Sequence, residues 1–169
     1  MVKPRVEVYD VECLINFFSL TSKNIHTKEV KTFVIHKSRD NLNILYDFLE
    51  DKSLYLIGFN CLDYDSQLIE FILSKKKEWY YTYPDIEDVI SELYNESQEV
   101  INRLFPKYPE WKLSIPHLDL YKINHYDNKN KATSLKSVEA GIRFPNLQDM
   151  PFSHTHYVLE EEIPNILAY

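Results

Sequence analysis

The stretch Arg5-Val6-Glu7-Val8-Tyr9-Asp10-Val11-Glu12 decides how this chain is read. Its period of two predicts a strand over residues 5–11, with Val6, Val8, Asp10 and Glu12 on one face. Two carboxylates then project the same way from an apolar run. Charges that end a hydrophobic strand are costly to desolvate, so they usually have a chemical task. A second acidic run, Gly58-Phe59-Asn60-Cys61-Leu62-Asp63-Tyr64-Asp65, closes the apolar segment that starts at Leu54. Hard divalent cations such as Mg²⁺ or Mn²⁺ favour carboxylate oxygen, and Asp10 and Glu12 are suited to share a pair of ions about 3.5–4 Å apart.

Outward from this stretch, residues 14–21 and 30–35 read as two more strands, joined by a polar connection from Ser22 to Lys28. Short connections predict an antiparallel meander. Asp40 is placed to cap a helix carrying Leu42, Leu45, Phe48 and Leu49. Residues 54–59 are wholly apolar, as in a central buried strand. A helix follows Tyr64, with Leu68, Ile69, Phe71 and Ile72. Pro84-Asp85 opens a longer helix that runs to Leu104 and stops at Pro106 and Pro109. Residues 115–120 make a last strand with His117 and Asp119. Residues 124–131 form a polar loop, Thr133 opens a short helix, and Gly141 ends it. Glu160-Glu161-Glu162 suits a helix N-terminus, with Pro164 in the first turn. The β-β-β-α-β order predicts an α/β class, a mixed sheet with flanking helices, in one domain over residues 1–169.

Composition narrows the classes. At 169 residues, with 44% apolar and 27% charged residues, the chain is expected to bury a real core. No stretch approaches the roughly 20 apolar residues of a membrane span, and no segment has the order of a signal peptide. Cys13 and Cys61 are expected to be buried thiols of a cytoplasmic protein. A net charge of −7 argues against a surface that coats nucleic acid. Lys75-Lys76-Lys77 reads as a solvated helix end. With two glycines, the chain has no phosphate-cradling loop.

The two acidic motifs together resemble those of the DEDD 3′-5′ exonuclease superfamily, in particular the proofreading domains of phage and viral DNA polymerases. Tyr9-Asp10-Val11-Glu12 looks like the first motif and Phe59-Asn60-Cys61-Leu62-Asp63-Tyr64-Asp65 like the second. His117-Leu118-Asp119-Leu120, followed by Ser134-Leu135-Lys136-Ser137, resembles the segment before the third. The third motif of one subgroup reads Tyr-x-x-x-Asp, and Ile163-Pro164-Asn165-Ile166-Leu167-Ala168-Tyr169 looks like the approach to it. The resemblance covers nearly the whole chain. It implies that the partner Asp lies beyond Tyr169 and that the chain is a fragment cut within this motif.

The resemblance implies a ribonuclease H-like fold and release of nucleoside monophosphates from a single-stranded DNA 3′ end. Two Mg²⁺ or Mn²⁺ ions would be held by Asp10, Glu12 and Asp65, with Asp10 bridging them and Tyr169 orienting the attacking water. Leu14, Phe17, Phe59, Asn60 and Tyr64 would contact substrate. A polymerase domain in the same or a partner chain, in a phage-infected or bacterial cytoplasm, would be the setting.

Alternatives remain at this stage. Asp65 also suits a helix cap, Asp63 is its rival as a ligand, and Leu14, Phe17 and Tyr64 also suit a core. Asp119 suits loop support. The pattern His156-x-x-x-x-Glu161 offers a different fourth carboxylate. His117, His154 and His156 lack the cysteine pair that would indicate zinc. A second hypothesis is a catalytically incomplete binding module on the same fold.

Overall fold

The computed structural model describes residues 3–82, 84–126, 134–145 and 149–168. Strands β1 (Arg5–Leu14), β2 (Phe17–Asn24) and β3 (Val30–His36) form the predicted antiparallel meander. A two-residue β4 (Arg39–Asp40) pairs with β3. Strand β5 (Leu54–Gly58) lies parallel to β1, and β6 (His117–Asp119) parallel to β5. The sheet is mixed, in the order β4-β3-β2-β1-β5-β6.

The helices are α1 (Leu42–Leu49), α2 (Asp65–Thr82), α3 (Ile86–Asn102), α4 (Leu120–Asn124), α5 (Leu135–Gly141) and α6 (Ile163–Leu167). Alternation along β1 buries Glu7, Tyr9, Val11 and Cys13 on one face. That face joins the main core with Leu45 and Phe48 of α1, Leu68 and Ile72 of α2, and Val89 and Leu93 of α3. On the opposite face, Leu14, Phe17 and Val34 form a smaller cluster with Val158, Ile163 and Ile166. The C-terminal segment therefore covers the face that also carries Asp10 and Glu12.

Several boundaries differ from expectation, each for a local reason. β1 runs three residues further, because Leu14 pairs with Phe17 across the two-residue turn Ile15-Asn16. No glycine or proline marks that turn. Asn41, not Asp40, is the cap position of α1, yet the Asp40 carboxylate accepts the Leu42 N–H. The Asn41 side chain is occupied by the Val34 N–H. Helix α3 stops at Asn102, where Arg103 turns extended and its guanidinium folds back to Glu96 and Glu99. Residues 120–124, expected to lead into a loop, form α4 because the Asp119 carboxylate caps it. Ser134 caps α5; the expected start at Thr133 lies outside the described residues. β5 is less buried than a central strand should be, since Tyr55 and Ile57 on its second face are only half-covered.

Several buried polar groups are held by specific partners. Glu7, inside the sheet, accepts from Arg5 at 2.8 Å and Asn24 at 3.0 Å. The Gln67 amide binds both backbone groups of Tyr108, at 2.9 Å each. Asn16 does the same for Val158, accepting at 2.7 Å and donating at 2.9 Å. His36 shares a further bond with the Val158 carbonyl.

Gly58 ends β5 where a side chain has no room. A Cβ there would sit 2.6 Å from Cys61 Cβ and 3.1 Å from the Tyr9 ring. Gly58→Ala is expected to destabilise the fold by roughly 1–3 kcal/mol, the usual cost of overpacking, as read from the midpoint of urea unfolding. An unchanged midpoint would show that the Cys61 turn yields freely.

Candidate functional site

The site is built where β5 stops and β1 continues. β5 pairs with β1 through Val8 only. Beyond it the chain turns through Asn60-Cys61-Leu62, and the N-terminus of α2 takes the place of the missing strand. There Asp65 Oδ1 accepts the Val11 backbone N–H at 3.1 Å. Asp65 opens α2, where free N–H groups favour an anion. It is therefore a helix-start residue and a tether to β1 at once.

Asp10 and Glu12 emerge from β1 on the same face, as the alternation predicts, and each influences the other's ionisation. Asp10 reaches solvent and Glu12 is half-buried, whereas Asp65 is buried. All three carboxyls are shifted upward. For Glu12 the cause is first desolvation and then the Asp10 charge, and it is pushed up to about 7. Asp65 lies well above the usual carboxylate range, from burial first and the Asp10 charge second. Asp10 is also raised by burial, even though it reaches solvent. Glu12 and Asp65 thus both feel the Asp10 charge in addition to the cost of burial.

The second-motif loop is held from behind. The buried Asp119 carboxylate accepts the N–H groups of Asn60 at 2.8 Å, Tyr121 at 2.9 Å and Leu62 at 3.2 Å. Loop support is what it does. The Asn60 backbone is left-handed, at φ 57°, and its side chain is exposed. Tyr9 packs beneath the loop and shares a 3.0 Å hydrogen bond with His117 Nδ1. Burial pushes His117 down to about 4, so it stays neutral at physiological pH. Its Nε2 is buried without a partner among the described residues.

Other expected site residues fall in different places. Tyr64 is half-buried, its hydroxyl bonded to Ser97 at 2.8 Å, and its ring lies close enough to feel Asp65 and Glu12. Phe59 meets Tyr121 edge-on at 5.6 Å. Leu14 and Phe17 are enclosed in the second core cluster and present no surface to a ligand. Asp63 is exposed. Glu161 is exposed, and His156 pairs instead with Glu162 at 2.9 Å. Tyr169 lies outside the described residues. Cys13 and Cys61 are both buried free thiols, each pushed up to about 12 chiefly by burial. Among the described residues no group of three or more His, Cys, Asp and Glu stands ready to hold a metal ion. No described helix is long and apolar enough to cross a membrane.

The sequence reading missed the loop that follows α3. Residues 103–107, with Asn60, Asp63 and Tyr64, wall a cleft of about 430 Å³. The adjacent apolar pair Leu104-Phe105, expected inside a helix, was the available signal. Compared with known proteins, the chain matches no family model, no curated protein and no solved structure.

The raised carboxyl at Glu12 makes stability depend on pH in a definite direction. Its stabilising contribution is full below the unfolded value near 4.5 and is lost as pH rises through about 7. Glu12→Gln removes that loss. The variant is therefore expected to melt several degrees higher than the parent at pH 8, with the difference gone at pH 4.5. Equal melting temperatures at pH 8 would show that Glu12 is neither desolvated nor repelled enough to be raised.

Proposed function

We propose that this chain is a metal-dependent 3′-5′ exonuclease module of the DNA-proofreading type, on a ribonuclease H-like variant of the mixed sheet. One observation carries the reading. Asp10 and Glu12 share one face of β1, and a backbone hydrogen bond brings Asp65 up to the same strand. The donor set is oxygen only, which fits Mg²⁺ or Mn²⁺ in kind and disfavours zinc. Asp10, Glu12 and Asp65 would hold the metal. When bound, such ions acidify water and stabilise an oxyanion leaving group.

The chain's own residues do the remaining work. Asp10 and Glu12 project from one face of β1, Asp10 exposed to solvent and Glu12 half-buried. Val11 holds one Asp65 oxygen fixed, so that carboxylate keeps its orientation. Asp119 keeps the Asn60 loop in place, and Asn60 offers an exposed amide beside the cluster. A frayed single-stranded end needs less unpairing energy to reach such a site, which lets it discriminate without reading sequence.

Magnesium-dependent shortening of a 5′-labelled single-stranded DNA, one nucleotide at a time, is the expected activity. The measurement belongs in this chain and in one extended past Tyr169. Asp10→Ala is expected to lower the rate by more than the roughly 10–100-fold typical of a lost supporting residue. Mn²⁺ at pH 8 is likewise expected to raise the melting temperature of the parent but not of Asp10→Ala. Retained activity in the variant sinks the assignment.

A second reading has its own observation. No ready-made metal group exists among the described residues, as in a binding module that keeps the fold without the chemistry. Absence of any Mn²⁺ shift, in the parent as in Asp10→Ala, favours that module.

A further inference from the structure

The loop after α3 is fixed at both ends yet shows apolar side chains to solvent. At its start, Arg103 binds Glu96, a residue 6% exposed, and Lys107 binds the same carboxylate at 3.1 Å. Just beyond it, Gln67 pairs with both backbone groups of Tyr108. Between these anchors Leu104 is 92% and Phe105 81% exposed. Large apolar side chains on a braced loop are a display surface, since a loop serving only as a connection gains nothing from them.

The two side chains edge the cleft whose other wall is Asn60, Asp63 and Tyr64. Tyr64 immediately precedes Asp65, the first residue of α2, so the cleft lies beside the helix start that carries that carboxyl. Its volume of about 430 Å³ falls in the range of small-molecule sites. Charge decides which part of a nucleotide fits. Arg103 and Lys107 are already neutralised by Glu96 and Glu99, and Asp63 adds a negative charge. A phosphate would be repelled or unrewarded there. A flat, neutral ring would meet Phe105 on one side and amide and hydroxyl groups on the other. A protein partner would be expected on a broader apolar face than these two side chains make.

We propose that this cleft holds an unpaired base of a single-stranded nucleic acid, with Phe105 as the stacking platform. The proposal rests on the nuclease reading of the adjacent carboxyls, but it is tested without hydrolysis. Stacking of one base on an aromatic side chain changes affinity by about 5–150-fold and does not depend on base identity. With little phosphate neutralisation, the affinity should vary weakly with salt.

The experiment is fluorescence anisotropy of a labelled oligothymidylate of about ten nucleotides, in EDTA, with the full chain. Phe105→Ala is expected to weaken binding by about 10-fold. Tyr81→Ala is expected to leave it unchanged, because this exposed ring lies near the far end of α2, about 21 Å along the helix from the cleft residue Gln67. The log–log salt slope is expected to be no steeper than about −1. Oligouridylate in place of oligothymidylate separates RNA from DNA, and binding of either through Phe105 keeps the proposal. It is overturned by equal affinity in Phe105→Ala, by a steep salt slope, or by a parent that binds neither oligonucleotide. In the last case, loss of self-association in Phe105→Ala would reassign the cleft as a protein interface. Binding through Phe105 without cleavage under Mg²⁺ would keep this inference and sink the exonuclease reading. Cleavage with an unchanged KM in Phe105→Ala would do the reverse.

Discussion

The hydrogen bond from Val11 N–H to Asp65 is the contact on which the arrangement turns. β1 is longer than β5, so past Val8 its backbone donors on that side have no strand to meet. A buried donor left unpaired costs about 1–3 kcal/mol. The protein meets that need with the first residue of a helix. One bond closes the sheet edge, docks the N-terminus of α2 and brings a third carboxyl to the strand that carries two. Gly58 permits the chain to leave the sheet there, and Asp119 holds the turn that follows.

A related device recurs wherever irregular backbone must be held. Asn16 binds both polar groups of Val158, and Gln67 binds both of Tyr108. Asn41 comes close to the same pattern at Val34, using its side-chain oxygen for the N–H and its own N–H for the carbonyl. A side-chain amide carries one donor side and one acceptor side, so it copies a strand's edge for a single residue. The C-terminal segment is laid over the Asp10 and Glu12 face in this way, supported by Ile163 and Ile166.

Parts of this were legible in the residues. The alternation through Val8, Asp10 and Glu12 placed both carboxyls on one face because a strand has a period of two. The meander and α1 followed from short connections and apolar spacing, and the apolar run at 54–59 marked β5 as a strand, while its parallel pairing with β1 emerged only in the structure. The Asp65 tether was not legible, since it depends on where β5 stops relative to β1. The Ile15-Asn16 turn was missed because neither residue announces it, and the reading therefore placed Leu14 at the start of the second strand. Glu7 sits inside the sheet on account of Arg5 and Asn24, partners 2 and 17 residues away. The helix was read on to Leu104, two residues past its true end at Asn102, because the ion pairs that draw Arg103 and Lys107 back to Glu96 leave no local signal. The shared face of Asp10 and Glu12 could be anticipated; the cleft at residues 103–107 could not.

Asn60 carries a cost that a chain with only two glycines could have avoided by placing one there. A left-handed backbone costs a non-glycine residue about 1 kcal/mol or more, and glycine would relieve it. The Asn60 N–H already satisfies Asp119, and glycine would supply that donor equally well. What glycine would lack is the amide side chain that points away from the fold. Lys28 and Arg143 hold the same backbone region in connecting segments, so the exposed amide, not the strain, is what sets Asn60 apart.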